Sequence, residues 1–121
     1  MPWDEHLLAE FGRRLGLGEL RPPASGPLTL EVGGLGQLAL EPLADGDLLL
    51  SLALPLPPYE RERLTRALRR CAPEQGPVYP LACGCHHNHL IFMVRLPQAG
   101  LRAADLENAA VFLLETARAA A

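Results

Sequence analysis

Residues 48–54 read LLLSLAL and residues 90–96 read LIFMVRL. In a β-strand alternate side chains share a face, so the first run sets Leu48, Leu50, Leu52 and Leu54 against Leu49, Ser51 and Ala53. The second sets Leu90, Phe92, Val94 and Leu96 against Ile91 and Met93. A half-buried antiparallel strand alternates apolar with polar, so apolar residues on both sides predict two strands that are covered on both faces.

The segments before the first run have the same two-residue period. Leu28, Leu30 and Val32 alternate with Thr29 and Glu31, GGLG turns the chain, and Leu38 and Leu40 alternate with Gln37, Ala39 and Glu41. Asp45-Gly46-Asp47 is a turn sequence leading into Leu48. A three-stranded antiparallel meander is predicted. A strand over Val78 to Cys85 and another over Leu90 to Leu96, separated by a short polar stretch, form a hairpin.

Three helical segments surround these strands. Trp3, Leu7, Leu8, Phe11 and Leu15 recur at helical spacing, which predicts a helix over about residues 3 to 15, with Pro2 at its first position and Gly16 and Gly18 ending it. Between the meander and the hairpin, Leu64, Ala67, Leu68 and Cys71 form a stripe on an otherwise charged segment that follows prolines. Glu62 and Arg66 are spaced as a supportive pair on that helix. Near the end, Leu106, Ala110, Leu113, Leu114 and Ala117 describe a long helix face. The order is α-β-β-β-α-β-β-α, an α+β domain spanning residues 1–121 in which helices pack on a twisted five-stranded antiparallel sheet.

Composition narrows the function. The net charge of −3 offers no basic footprint for nucleic acid. Hydrophobic residues make up 49% of the chain but aromatic residues only 5%, so the core is aliphatic. The opening MPWDEHLLAEF carries acids where a secretory signal requires positive charge, and no apolar run approaches the roughly 18 residues of a membrane span. Three cysteines are an odd number, and Cys83 and Cys85 are too close along a strand to bridge comfortably. A reducing cytoplasm fits best.

The stretch Cys83-Gly-Cys-His-His-Asn-His89 holds the residue types that bind zinc, yet all its ligands lie within seven residues and there is no second pair elsewhere. As a hairpin, Cys83 and Cys85 share the face of Leu81 as small hydrophobes, while His86, His87, Asn88 and His89 make the loop, Asn88 suiting a positive φ. A metal- or thiol-dependent domain centred on Cys83 to His89 is the alternative to a binding protein. GGLG lacks the strand-to-helix setting of a phosphate loop, and Asp45 and Asp47 belong to a turn. No catalytic residue, metal ligand or cofactor site is assigned.

Strands apolar on both sides exceed what three helices cover, since monomers rarely expose large apolar patches. The surplus predicts a second subunit or an extended segment of another protein. The alternative is that the second helix covers the other face within one chain.

The element order, the opening MPWDEHLLAEFGRRLGL and the hairpin HNHLIFMVRL resemble class I chaperones of type III secretion, of the CesT/SycE-like fold, and most of all the SycN group. The resemblance implies a cytoplasmic, non-enzymatic dimer from a Gram-negative bacterium that holds the N-terminal segment of a secreted protein in extended form. It implies two partners, a second class I chaperone (YscB-like) and a secreted gatekeeper (YopN-like). Carried onto this chain, the subunit interface comprises Leu64, Ala67, Leu68, Cys71, Val78 and Leu81, and the client surface Trp3, Leu7, Phe11, Leu49, Ile91 and Met93.

Overall fold

The computed structural model describes residues 3–57, 61–70 and 81–120. In chain order these form α1 (Glu5–Arg14), β1 (Leu28–Val32), β2 (Gly36–Pro42), β3 (Asp47–Pro55), α2 (Arg61–Arg70), β4 (Leu81–His86), β5 (His89–Pro97) and α3 (Ala103–Ala120). The strands make one antiparallel sheet in the order β1-β2-β3-β5-β4. The meander and the hairpin are thus joined along β3 and β5, the two runs with which the sequence reading began.

Their register shows why. Leu48, Leu50, Leu52 and Leu54 stand opposite Leu96, Val94, Phe92 and Leu90. All eight are buried. A slip of one residue would turn Ile91, Met93 and Arg95 into the core, and burying an unpaired guanidinium is prohibitive. The same face carries Leu38 and Leu40 of β2, both buried, and Leu28, Leu30 and Val32 of β1 packed beside them.

All three helices cover this one face. Leu7, Leu8 and Phe11 of α1, Ala67 of α2, and Leu106, Ala109, Ala110, Leu113 and Ala117 of α3 join the same core cluster. Each fully buried leucine or phenylalanine contributes about 1.5–3 kcal/mol over leaving it in water. The alternative in which the second helix covers the other face within one chain is therefore overturned. Ala67 packs α2 onto the helical side, so among the described residues the second face has no layer over it.

The helix ends show local causes. Asp4 is the N-cap of α1, its Oδ1 accepting the Leu7 N–H at 3.0 Å, so the helix starts at Glu5 and Trp3 precedes it. Pro2 lies outside the described residues. At the other end Gly16 adopts φ 76°, the Leu17 N–H donates to Gly12 O at 2.9 Å and the Gly16 N–H to Arg13 O at 3.1 Å. This is a Schellman stop, which leaves Leu15 as an exposed cap instead of the stripe residue the spacing suggested.

α3 opens with one half of a capping box. Asp105 Oδ2 accepts the Arg102 backbone N–H at 3.0 Å, and the Arg102 guanidinium donates to both carboxylate oxygens. The Arg102 side chain and its backbone N–H hold the Asp105 carboxyl below its ordinary range. A lowered folded-state pKa gives stabilisation that is present above the ordinary carboxylate range and lost as pH falls through the folded value. Asp105→Asn is accordingly expected to melt at lower temperature than the parent at neutral pH, with the gap closing on acidification. A constant gap at every pH would rule out the charge as its source.

Candidate functional site: the open face of the sheet

Residues of opposite parity to the core strands make the uncovered face. One row across it runs Glu31, Gln37, Ala53, Ile91, Gly84, from β1 to β4. The next runs Thr29, Ala39, Ser51, Met93, Ala82, and a third, shorter row sets Leu49 between Glu41 and Arg95. Leu49, Ala39, Ala53, Ile91 and Met93 are half-buried, forming an apolar centre with a polar margin. Their burial comes from their neighbours within the sheet, not from an overlying layer.

The margin is acidic. Arg95 donates from Nε to Asp47 at 2.7 Å and from Nη2 to Asp45, so the one arginine of this face among the described residues is shared by two aspartates. Glu31 accepts only a 3.4 Å bond from Gln37, and Glu41 makes no ion pair among the described residues. At the end of the first row lies a recess of about 240 Å³ lined by Glu31, Gly36, Gln37, Ala53, Pro55 and His89.

The sheet also ends in two strands, β1 and β4, each bonded on one side only among the described residues. Unpaired edges present a row of backbone donors and acceptors that another chain can pair with. Beside β4, α2 shows Leu68 with 51% of its surface exposed.

The residues proposed from sequence separate into groups. Leu49, Ile91 and Met93 do share the open face, Leu49 and Met93 as diagonal neighbours on adjacent strands. Leu7 and Phe11 lie across the sheet in the core, Phe11 with no exposed surface, and so cannot belong to the same surface patch. Trp3 is half-buried against that core, at a cavity of about 10 Å³ shared with Leu7, Leu8, Leu40, Leu48 and Leu106.

In the interface set, Ala67 is fully buried, Leu64 and Leu81 are half-buried against the core, and Leu68 is exposed. Cys71 and Val78 lie outside the described residues. Leu17 and Val111 are exposed as well, and no motif or stripe in the sequence marks them. Val111 lies on the outward side of α3, and periodicity marks only the inward side. Nothing in the sequence marks the acidic margin either, because Glu31, Glu41 and Asp47 come from different strands and meet only through the register.

The cysteine and histidine hairpin turns on only two residues, His87 at φ 48° and Asn88 at φ 61°, while His86 and His89 pair as the last rung of β4 and β5. The loop is thus shorter than the four residues expected. Cys83 packs against the core as anticipated, but Cys85, on the edge strand β4, is exposed although its rung partner Leu90 is fully buried. His89 Nδ1 lies 2.9 Å from His87 O, and the His86 and His87 rings meet edge to face at 4.0 Å. No group of three or more histidine, cysteine or acidic side chains among the described residues could hold a metal ion, and the metal- or thiol-dependent alternative gains no support. No helix among them is long and apolar enough to cross a membrane.

Among the described residues, then, the helices lie on one face of an antiparallel sheet and leave its other face and both edges open. The chain belongs to the Tir chaperone protein (CesT) family, whose model matches residues 6–121. Its fold is similar to that of the Yersinia pestis type III secretion chaperone SycH, solved in complex with a stable fragment of YscM2 (TM-score 0.75, 18% identity, 97% of this chain and 98% of that one). It is also similar to a chain of the ExsC-ExsE complex (TM-score 0.72, 23% identity, 93% and 86% covered). A third likeness is to a chain of the heterodimeric ExoU-SpcU complex from the type III secretion system of Pseudomonas aeruginosa (TM-score 0.62, 19% identity, 96% and 89% covered). At these identities the likeness is one of fold. No curated protein matches the chain by sequence.

Proposed function

We propose that residues 1–121 form one type III secretion chaperone domain that keeps the N-terminal segment of a secreted protein extended, in the cytoplasm of a Gram-negative bacterium. The observation that carries this reading is the apolar centre around Leu49, Ile91 and Met93, uncovered among the described residues, on a sheet whose two edge strands are unpaired among them. A client that stays unfolded until bound can lay alternate side chains on such a face and pair its backbone with an edge. Family membership and the complexes formed by the fold neighbours support it. No step of this function calls for a catalytic group.

The finer reading follows the resemblance of the opening residues and of the hairpin to the SycN group. The chain works as a dimer with a second small chaperone of its class, YscB-like, and the client is a YopN-like gatekeeper. The subunit seam is α2 with β4, through Leu64, Leu68 and Leu81; Cys71 and Val78, assigned to it by the resemblance, lie outside the described residues. Ala67 supports the seam from beneath, being buried in the chain's own core.

Co-expression with a small acidic chaperone and a gatekeeper N-terminal segment, followed by light scattering, tests the proposal. The expected species is a dimer that retains the segment. A monodisperse monomer that captures neither would overturn the reading. Leu68→Glu is expected to weaken dimerisation at least tenfold, a loss of about 1.4 kcal/mol or more, while leaving the circular dichroism spectrum unchanged. An unaltered dimer mass would move the seam away from α2.

A further inference from the structure

We infer that the open face selects clients by charge: it takes an extended segment whose apolar side chains are followed, four residues on, by an arginine or lysine seated in the recess at Glu31. This rests on the client-binding reading and adds to it the chemistry of the segment.

The charge pattern of the face carries the argument. Around the apolar centre stand Glu31, Glu41, Asp45 and Asp47 against a single Arg95, which Asp45 and Asp47 already engage. The surplus is negative, and it is largest on the β1–β2 side, where neither Glu31 nor Glu41 makes an ion pair among the described residues. A basic side chain is the complement. A second copy of this chain is a poor occupant, because apposing two such faces sets acidic margin against acidic margin.

Geometry gives the spacing. Ile91, Ala53, Gln37 and Glu31 occupy one row on four successive strands. Three inter-strand steps of about 4.8 Å span roughly 14 Å, which an extended chain covers in about four residues. Residues i and i+4 of an extended segment point the same way, so an apolar residue over Ile91 puts the i+4 side chain over Glu31. A recess of about 240 Å³ runs from Glu31 past Gln37 and Ala53 to Pro55 and His89, and its Glu31 end has room for a guanidinium or ammonium head. Glu31 offers acceptor capacity beyond its one long bond from Gln37 Nε2.

Fluorescence anisotropy with the intact protein and labelled ten-residue peptides of alternating leucine and serine tests this, with arginine, glutamate or serine placed four residues after the last leucine. The arginine peptide is expected to bind about tenfold tighter than the glutamate peptide, since an attraction is replaced by a repulsion. Moving the arginine by one residue turns it off the face and removes the advantage. Glu31→Gln should abolish most of the preference for the arginine peptide over the serine peptide, and Met93→Asp should weaken all three peptides.

Equal affinity for the arginine and glutamate peptides, or a preference that survives in Glu31→Gln, would overturn the charge selection while leaving client binding in place. Failure of every peptide, with the full client segment still retained and unaffected by Met93→Asp, would move the client off this face and overturn the inference with it. A change in oligomer mass on Met93→Asp would make the face a seam between copies and overturn it too.

Discussion

Phe11→Ala is expected to lower the unfolding free energy by about 3–5 kcal/mol, the cost of emptying a fully buried aromatic site whose surroundings relax only in part. Phe11 has no exposed surface and is among the largest of the fully buried side chains. Domains of this size are stable by only about 5–15 kcal/mol, so the variant should show a large fall in its denaturant midpoint. Any loss of client binding in it is then a consequence of unfolding. Met93→Ala and Leu49→Ala, on the half-buried open face, should instead reduce client retention with little change in midpoint. A Phe11→Ala protein of parental stability that fails to bind would return Phe11 to the client surface.

Gly12→Ala is expected to destabilise by about 2–3 kcal/mol, against the usual trend for a helical glycine. In an open helix the change gains about 1 kcal/mol. At Gly12 a Cβ would stand 2.3 Å from Gly18 O, 2.8 Å from Leu20 N and 2.6 Å from Leu20 Cγ. Two of these contacts are backbone atoms that cannot rotate away, so the segment after the Schellman stop must lift off α1. Gly33→Ala is the control: a Cβ there meets nothing within 4 Å, and its φ lies outside the left-handed region. It should be neutral or stabilise by up to about 1 kcal/mol. Equal thermal midpoints for the two variants would show that the loop does not rest on Gly12.

Much of this architecture is written in short-range patterns. The two-residue period of Leu28 to Val32, and of Leu38 and Leu40, marks strands that cover one face with a helical layer, and those segments are β1 and β2. The positive φ of Asn88 and the glycine stop after α1 follow from the same local chemistry. Leu15 is exposed because periodicity continues past the point where the helix ends, and Cys85 because alternation does not show that its strand is the edge of the sheet. For the client set, the apolar stripe of α1 identified Leu7 and Phe11 as one face of a helix without saying which way it points.

The sequence by itself determined the order of elements, the aliphatic core and the excess of apolar residues on β3 and β5, because each depends on side chains a few positions apart. Only the tertiary structure decided that β3 pairs with β5, that all three helices lie on one side, and that Leu49, Ile91 and Met93 meet on the other inside an acidic margin. Those facts depend on long-range register. A strand's alternation sorts its residues into two faces, but only the packed layer distinguishes the face turned toward the core from the face left for a partner.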